Sequence, residues 1–507
     1  MRDIATFAVC LGLALTGCDV FDDDLARRVL GNPDAECRVH TDCGTDPANP
    51  TACVQPAGRC VPLLSDDCRD VTGSLASPDA LVIGGMFALS GPQAGTNAPR
   101  RLSAALAIEQ IDAVGGVPGP GATKRPLVLL SCDTARDLDR AATHLIDALR
   151  VPAIIGPNTS QDTIDVSNRH SVAAGTLLLS PTAVAASIAD LDDDDLTWAM
   201  VPSDEQRAPL MRAQLAELEQ QLRRERGERP IKLSIIHRDD ALGVGTRAAL
   251  ATHTPNGKSL LDNQSASPPS VSIEAYDPAA ADQAALVARQ RAFAPDLIVL
   301  AGTAEAVTRI MVPLEASWPD APRPHYVTID SLRVPELLEA AASDDGLRQR
   351  VRGTGVLPSA RAQPVYETFR LDFQARYRDV PATLSGMGPS YDAAYAIAYA
   401  LAASREQPVR GRNIAAGLRK LRGGPEVQLS GSKVLSALHE LAAGRAIDAV
   451  GSFGVLGWNE RGAPLGGRVE MWCIGGKPPA FASSGLTLDL ESGQVAGGYR
   501  QCGQPTP

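Results

Sequence analysis

The stretch that most constrains the fold is residues 152–187, PAIIGPNTSQDTIDVSNRHSVAAGTLLLSPTAVAAS. Two apolar runs, residues 153–155 and 177–179, are each followed by a turn of small hydroxyl and amide residues. The segment between them predicts a helix over residues 161–174, with Gly175 in position to end it. This order makes one β-α-β unit, which sets both turns at the carboxyl edge of a parallel sheet.

The two turns supply the first candidate binding residues. Ligands bind at this edge of open α/β sheets, because helix N-termini present free backbone N–H groups there. Thr159, Ser160 and Thr182 are therefore predicted to face a small molecule. Ser90 and Ser180, which also stand where apolar runs give way to turns, complete the candidates of this half. The alternative for Ser160 is a simple helix cap, because serine is a preferred N-cap.

The same alternation continues on both sides of this unit. An apolar run at residues 80–85 is followed by a polar turn, then by helix, strand and helix up to residue 149. After Pro202 the pattern restarts with a capping box at residues 203–206 and alternates up to residue 329. Within it, a strand is predicted at residues 297–301 and a helix at residues 304–317. The sequence therefore predicts an α/β fold of two doubly wound parallel-sheet lobes.

Three further segments give less regular patterns. Residues 253–269 are polar without an apolar period, and they predict a surface insertion. The chain from residue 365 is predicted to be mostly helical. Residues 452–457 and 468–474 are predicted to form late strands joined by a glycine-rich turn.

The N-terminus predicts export. The apolar run at residues 4–15 has the length of a signal-peptide core and is too short to span a membrane as a helix. It ends in L-T-G-C, which resembles the lipobox of bacterial lipoproteins. That resemblance implies a signal peptide at residues 1–17 and a lipid on Cys18 that anchors the chain in the cell envelope. It does not decide between the inner and the outer membrane. The alternative is an ordinary secretory signal with an incidental Cys18.

When Cys10 in the signal peptide and Cys18 are set aside, eight cysteines remain, and they predict disulfides because their number is even and the compartment is oxidising. Five of them lie in residues 37–68 among proline, glycine and aspartate, so this segment is expected to need disulfides to hold a shape. With the residues before it, it is assigned to a tether over residues 18–78. One of the five is expected to pair with Cys132 or with the C-terminal pair, and Cys473 and Cys502 are able to pair with each other. No Cys/His cluster has the spacing of a zinc site.

Charge and motifs restrict the function. The formal net charge of -11 argues against nucleic acid, whose binding requires Lys and Arg to neutralise phosphates. No nucleophile–base pair, phosphate-binding loop or metal motif occurs, so the chain is predicted not to be an enzyme and to use no cofactor or metal. The acidic run at residues 192–195 lacks the alternating spacing of a calcium loop and is predicted to be a solvated loop.

Eight segments in the right order resemble the leucine/isoleucine/valine-binding protein family, the periplasmic binding proteins of type I fold. The resemblance covers roughly residues 80–475. Its segments are IGGMFALSGPQAG, ALAIEQIDAVGGVPG, SCDTARD, IIGPNTSQDT, LLLSPTAVA, SIIHRDDALGVG, GPSYDAAYAIAYAL and FGVLGWNERG.

The resemblance implies two lobes joined by three crossovers, near Pro202, Pro358 and Ala449, that close over a ligand by hinge motion. Lobe one would comprise residues 79–202 and 358–449. Lobe two would comprise residues 203–357 and 450–507, including a C-terminal tail.

The resemblance also assigns roles to single residues. Ser160, beside Thr159, falls on the serine that binds the α-carboxylate of an amino acid ligand. Thr182 falls on a backbone carbonyl that binds the ammonium group, but Val184 replaces the threonine that assists it. Asp330 falls on the acidic residue that pairs with the ammonium, with an ordinary turn aspartate as the alternative.

The aromatic walls of the family are missing, with Leu242, Thr303 and the region of Thr96 in their places. The expected function is a lipid-anchored solute-binding protein that captures a small polar ligand, an amino acid or a related amide or carboxylate, for the permease of an ABC importer. A sensing or regulatory envelope lipoprotein, with a degenerate ligand site, is the alternative. A third hypothesis is a scaffold in envelope assembly.

Overall fold

The computed structural model describes residues 35–44, 46–318, 322–405 and 407–502. The predicted signal peptide, Cys18 and the first part of the predicted tether lie outside the described residues. The strands are β1 (Thr51–Val54), β2 (Arg59–Pro62), β3 (Cys68–Thr72), β4 (Leu81–Phe87), β5 (Val117–Pro118), β6 (Lys124–Arg125), β7 (Leu127–Asp133), β8 (Ala153–Ile155), β9 (Leu177–Ser180), β10 (Thr197–Ala199), β11 (Leu233–Arg238), β12 (Val271–Tyr276), β13 (Leu297–Ala301), β14 (His325–Thr328), β15 (Val351–Leu357), β16 (Glu426–Gln428), β17 (Asp448–Val450), β18 (Arg468–Gly475), β19 (Ala480–Asp489) and β20 (Val495–Ala496).

The α-helices alternate with these strands over most of the chain. They are α1 (Ala94–Asp112), α2 (Leu138–Ala142), α3 (Ser160–Val166), α4 (Val172–Ala174), α5 (Asp204–Arg226), α6 (Ala241–Ala249), α7 (Leu260–Gln264), α8 (Ala284–Phe293), α9 (Ala304–Ala306), α10 (Val312–Ser317), α11 (Pro335–Ala342), α12 (Asp345–Arg350), α13 (Gln363–Arg376), α14 (Met387–Ala403), α15 (Gly411–Leu418) and α16 (Val434–Ala442). Among the described helices, none combines the length and the apolar composition that a membrane crossing requires.

Lobe one is built on a six-stranded sheet in the order β10-β9-β8-β4-β7-β3. All neighbours are parallel except β3, which pairs antiparallel with β7 at the edge. Ile83 and Phe87 of β4 pack in the cluster that includes α1 and α14, whereas Met86 packs in the cluster on the opposite face. The apolar run predicted at residues 80–85 is thus a strand buried on both faces, as a parallel sheet requires.

Lobe two is built on an eight-stranded sheet in the order β12-β11-β13-β14-β15-β18-β19-β20. The five strands from β12 to β15 are parallel, and β18, β19 and β20 extend the sheet antiparallel. The helix predicted from residue 304 to 317 is observed over the same residues, with a π-helical middle at Val307–Met311. The prediction of two α/β lobes is confirmed.

The chain passes between the lobes three times, in the neighbourhoods predicted from Pro202, Pro358 and Ala449. The connecting segments are residues 200–203, 358–362 and 451–467. The third one corrects the prediction of a strand at residues 452–457, because only an isolated bridge between Val450 and Val455 forms there. The strands β19 and β20, which the sequence pattern did not indicate, follow instead at the far edge of lobe two.

The cysteine-rich segment is joined to lobe one rather than standing apart from it. Its last strand, β3, lies in the lobe-one sheet, and Cys68 is bonded to the directly opposed Cys132 of β7. Leu63 is 1% exposed and packs with the helix residues on that face. The buried Asp67 accepts hydrogen bonds from Arg140 at 2.8 and 3.0 Å. This packing corrects the expected start of lobe one at residue 79, because the last strand of the segment belongs to the lobe-one sheet.

The remaining disulfides agree with the expectation from the cysteine count. Cys37 is bonded to Cys53 and Cys43 to Cys60, within the segment, and Cys473 is bonded to Cys502 at the C-terminus. Since Cys473 lies on β18, the last bond fastens the tail to the sheet of lobe two.

The segment predicted as a polar surface insertion, residues 253–269, is more ordered than its composition indicates. It contains the short helix α7, whose Leu260 is 7% exposed. Asn263 is buried, and its amide donates to the carbonyls of Pro255, Lys258 and Ser259. The hydrogen bonds of one buried asparagine therefore hold this helix in place. The helix lacks the apolar stripe by which a helix is predicted from sequence.

Candidate functional site

The candidate site lies where the carboxyl ends of β8 and β9 in lobe one approach that of β14 in lobe two. The stretch at residues 152–187 forms the predicted unit, with a helical segment from α3 to α4 between the two strands. Thr159 is the N-cap of α3, and its hydroxyl accepts from the Asp162 N–H at 3.1 Å. Gly175 ends the segment in the left-handed conformation that glycine adopts without strain.

Ser160 is the first residue of α3, not its cap, so the alternative role considered for it is held by Thr159. Its side chain is buried, and its hydroxyl oxygen accepts from the backbone N–H groups of Val184 and Ala185, both at 3.1 Å. The hydroxyl therefore ties the turn after β8 to the turn after β9. Both acceptor positions of the oxygen are used in this way, and its proton remains for a further bond.

Ser180 and Thr182 hold the same two turns together from the other side. The fully buried Ser180 donates to the Pro157 carbonyl at 2.6 Å and accepts from the Ala183 N–H at 3.2 Å. Thr182 donates to the Asn158 carbonyl at 2.6 Å. These hydroxyls are therefore hydrogen-bonded to the backbone of the turns.

Ser90 lies apart from the other candidates. It is exposed, and its backbone N–H donates to Asp133 Oδ1 at 3.2 Å. The structure thus joins four of the lobe-one candidates in one network and leaves Ser90 at a neighbouring turn.

Asp330 stands on the lobe-two side, directly after β14. Its Oδ2 accepts from the Ser385 hydroxyl at 2.9 Å, which makes a contact between the lobes. Its Oδ1 is buried and has no hydrogen-bond partner among the described residues. Arg333 Nη1 lies 3.8 Å from this oxygen and 3.5 Å from Glu470 Oε1. Burial raises the pKa of Glu470, whose Oε2 also lacks a partner among the described residues.

The site contains a cation that the sequence reasoning missed. Arg100 of α1 is half-buried, and its Nε donates to the Ser385 carbonyl at 2.8 Å. Its Nη1 donates to Asn97 Oδ1 at 3.3 Å, and the same oxygen accepts from the Asn158 amide at 2.8 Å. Burial lowers the pKa of Arg100 to about 10, and the charge of Asp330 opposes this shift.

A sequence signal for this group does exist. Asn97 and Arg100 are three residues apart, so they share one face of a helix. They fall in its first two turns, directly after the polar turn at Ser90, which places them at the carboxyl edge of the sheet. Two polar residues on a face that continues into a buried stripe are the feature that would have identified them.

A glycine makes room for this arginine. Gly386 has a φ of +83°, and a Cβ at this position would lie 2.4 Å from Thr182 Cγ2 and 2.6 Å from Arg100 Nε. The close approach of residues 385–386 to both side chains therefore requires glycine here.

The lobes are already in contact beside the candidate site. Gln161 Oε1 of α3 accepts from the Ala241 N–H at 3.3 Å, and Ala241 packs against the cluster of Ala183, Ala185 and Ile188. Asp204, which begins α5 just after the first crossover, donates its backbone N–H to the Val184 carbonyl at 2.8 Å.

The positions of the missing aromatic walls have other roles in this chain. Leu242 packs against the core of lobe two, and the Thr303 hydroxyl is bonded to Glu305. Two small concavities lie near the crossovers, one beside Met200 and the other beside Ala183 and Ala185, and neither is lined by Thr159, Ser160 or Asp330.

The other sequence candidates are bound into the structure. Asp193 accepts from two backbone N–H groups, while Asp194 and Asp195 pair with Arg412 and Arg419. Among the described residues, one group of three potential metal ligands lies within 4.8 Å, and it consists of Cys37, Cys43 and Cys53. All three sulfurs are in disulfides, which leaves no thiolate to hold a metal there.

Comparison with known proteins agrees with this architecture. A sequence model described as periplasmic binding protein matches residues 80–433, which is more than half of the chain. The chain therefore belongs to the periplasmic binding protein family, whose members are binding proteins that work outside the cytoplasm. A search of curated proteins finds no match.

Solved structures of several binding proteins share the fold of this chain. The substrate-binding protein LivJ of a branched-chain amino acid transporter from Streptococcus pneumoniae, in complex with isoleucine, is 16% identical with a TM-score of 0.57, over 78% of this chain and 96% of that one. The leucine-binding protein LivK from Thermotoga maritima is 16% identical with a TM-score of 0.58, over 80% and 98%. An ABC transporter substrate-binding protein from Desulfitobacterium hafniense, in complex with Leu, is 19% identical with a TM-score of 0.53, over 80% and 100%.

Proposed function

We propose that this chain is an extracytoplasmic solute-binding lipoprotein that encloses a small polar ligand between its lobes and delivers it to the permease of an ABC importer. The L-T-G-C sequence supports the lipid anchor on Cys18. The structurally similar proteins with isoleucine or leucine bound support an amino acid, or a related amide or carboxylate, as the ligand.

The observation that carries the binding role is the unpaired oxygen of Asp330. Leaving a buried acceptor without a donor costs about 1–3 kcal/mol, and more when the group is charged. Asp330 Oδ1 is in that state, at the lobe interface and beside a network that reaches into lobe one. An ammonium or N–H group of a ligand would satisfy it. In this proposal the protein binds its ligand without transforming it.

A thermal-shift series on the mature chain tests the proposal, with amino acids, small amides and carboxylates as probes. A ligand at 100 times its Kd stabilises the folded state by about 2.7 kcal/mol, so one class of probe should raise Tm by a few degrees. Asp330→Asn should abolish that increase. Asp66→Asn is the matched control, since Asp66 is 88% exposed and paired only with Arg69. A flat response across the panel from a folded protein would contradict the binding role.

A regulatory lipoprotein on the same fold is the second candidate, and the contacts between the lobes favour it. The bonds from Ser385 to Asp330 and from Ala241 to Gln161 join the two lobes directly through their own residues. Small-angle X-ray scattering separates the two candidates. A carrier should contract when its probe is added, because closure is a population shift driven by contacts to both lobes. A regulatory protein closed by its own contacts should keep one radius of gyration across the whole panel.

A further inference from the structure

The described residues of the cleft contain two opposite charges that are bridged rather than paired. Ser385 lies between them, since its carbonyl accepts from Arg100 Nε and its hydroxyl donates to Asp330 Oδ2. Each charged group keeps one atom for another partner. Asp330 Oδ1 is buried and unpaired, and Arg100 Nη2 has no hydrogen bond to any other described residue.

The neighbouring charges do not satisfy this pair. Arg333 forms its ion pair with Glu470 at 3.5 Å, and its 3.8 Å separation from Asp330 Oδ1 is too long for a hydrogen bond. With Arg333 and Glu470 paired, Arg100 on lobe one and Asp330 on lobe two remain as the two charges that Ser385 bridges. Their complement is a small molecule that carries one negative and one positive group.

The serine that the family resemblance assigns to the ligand carboxylate offers that carboxylate a single neutral donor. Ser160 is 4% exposed, and because its oxygen accepts from the Val184 and Ala185 N–H groups, only its one proton remains for a ligand. Arg100 is more accessible and carries a full charge. A guanidinium also offers two N–H groups in the plane that a carboxylate prefers.

We infer that Arg100, rather than the serine of the family resemblance, is the carboxylate anchor of this cleft, so that a zwitterionic ligand would extend from Arg100 to Asp330, the residue that the resemblance already assigns to its ammonium group. This inference rests on the proposed function and names a further specificity-determining residue of the same site. The carboxylate would take Nη2 of Arg100 while the ammonium satisfies Asp330 Oδ1. The two ends of the ligand would thus add a second connection between the lobes beside Ser385, which is bonded to Arg100 Nε and Asp330 Oδ2.

The placement of Arg100 is built into the fold. Asn97 holds Nη1, Asn158 holds Asn97, and Thr182 is bonded to the Asn158 carbonyl, so the turns of lobe one orient the guanidinium. Gly386 leaves space for it, because any Cβ there would meet Nε. A side chain held from three directions loses little freedom when a ligand binds, which favours affinity.

Calorimetric titration of the mature chain tests this assignment. The probes are the twenty L-amino acids and, for the tightest of them, the corresponding amine without its carboxylate. Hydrogen bonds to charged groups contribute about 1.5–3 kcal/mol, so Arg100→Gln should raise the Kd of the amino acid about 10- to 100-fold. The amine, read by thermal shift at millimolar concentration, should bind the wild type and this variant equally.

Two further variants serve as comparisons. Arg101→Gln removes the same charge one residue away, where the side chain faces Asp70 at 3.8 Å, and it should leave the Kd within about twofold. Ser160→Ala tests the rival anchor and should keep the preference for the amino acid over the amine. If Arg100→Gln does not fold, Arg100→Lys takes its place, with a smaller loss expected because it retains the charge without the fork.

Each other outcome overturns the inference in a recognisable way. Equal losses for amino acid and amine in Arg100→Gln would make Arg100 a closing contact between the lobes rather than a carboxylate anchor. Loss of the amino acid preference in Ser160→Ala alone would return the role to the serine. A wild-type protein that binds no amino acid but does bind another probe would refute the zwitterion while the solute-binding role stands. A wild-type protein that binds nothing would refute both.

Discussion

The hydroxyl groups and the carboxylates around the cleft are treated differently by the fold. Ser160, Ser180 and Thr182 are each bonded to backbone groups of the turns that carry them. The carboxylates of Asp204 and Asp330 each keep a buried oxygen without a partner among the described residues. The difference teaches that small polar residues in a turn form hydrogen bonds to the backbone of the turns. Buried charged groups without a partner, in contrast, indicate where the lobes would meet a ligand.

The largest effect is expected at Asp204, and it depends on pH. Burial raises the pKa of this carboxyl to about 7, while the charge of Arg207 opposes the shift. A carboxyl with a raised pKa binds more protons in the folded state, so its cost to stability is absent near pH 4 and grows as the pH rises towards 7. Asp204→Asn should therefore be more stable than wild type by up to about 4 kcal/mol at pH 8, and equal to it near pH 4.

Urea unfolding of both proteins at several pH values checks this difference. Glu205→Gln is the matched control, because Glu205 is the exposed neighbour in the same helix and should show a difference of a few tenths of a kcal/mol at any pH. A constant difference for Asp204→Asn between pH 4 and 8 would show that Asp204 is not protonated in the folded protein.

The next effect concerns the hydroxyl that ties the two turns together. Ser160→Ala leaves the N–H groups of Val184 and Ala185 without their acceptor, and each such loss costs about 1–3 kcal/mol. The free energy of unfolding should fall by about 3 kcal/mol, as measured in urea. Thr159→Ser keeps a hydroxyl cap on α3 and should change it by less than about 0.5 kcal/mol. If Ser160→Ala unfolds like wild type, the serine is not structural and the contrast with the carboxylates fails.

The smallest effect on stability is expected at Gly386, whose backbone lies against the Arg100 side chain. Gly386→Ala combines a positive φ with contacts to Thr182 and Arg100 that are too short, so it should destabilise the chain by about 2 kcal/mol. Gly95→Ala is the control, since Gly95 lies in α1 with no atom within 4 Å of its added Cβ. That change should be neutral or stabilising, because alanine favours helix. Equal melting curves for both variants would show that residues 385–386 do not press on the arginine.

Local patterns predicted the elements of the fold well where apolar periodicity was strong. Strand β13 and the helix at residues 304–317 were found with the predicted bounds, and both lie in the lobe-two core. Apolar periodicity did not predict the segments that are held by single buried side chains and hydrogen bonds. The helix α7 depends on the buried amide of Asn263, and the cysteine-rich segment depends on Leu63 and on Asp67 with its arginine.

The candidate site was only partly predictable for a related reason. Thr159, Ser160 and Thr182 follow strands directly, so the sequence predicted that they would meet at one edge. It did not predict that their hydroxyls would be used within the turns, because hydrogen-bond partners such as Val184 N–H are a property of how two turns pack. Arg100 was overlooked because a single arginine on a helix is ordinarily a solvated residue.

By itself the sequence determined the two α/β lobes and their family, and it predicted the edge at which a ligand would bind. Those properties depend on the spacing of apolar runs and turns along the chain, and this spacing can be read directly from the sequence. The tertiary structure alone decided that Ser385 from a distant segment joins Arg100 of lobe one to Asp330 of lobe two. Arg100 lies 285 positions from Ser385 in the sequence, and only the folding of the lobes against each other brings it close to Ser385 and Asp330.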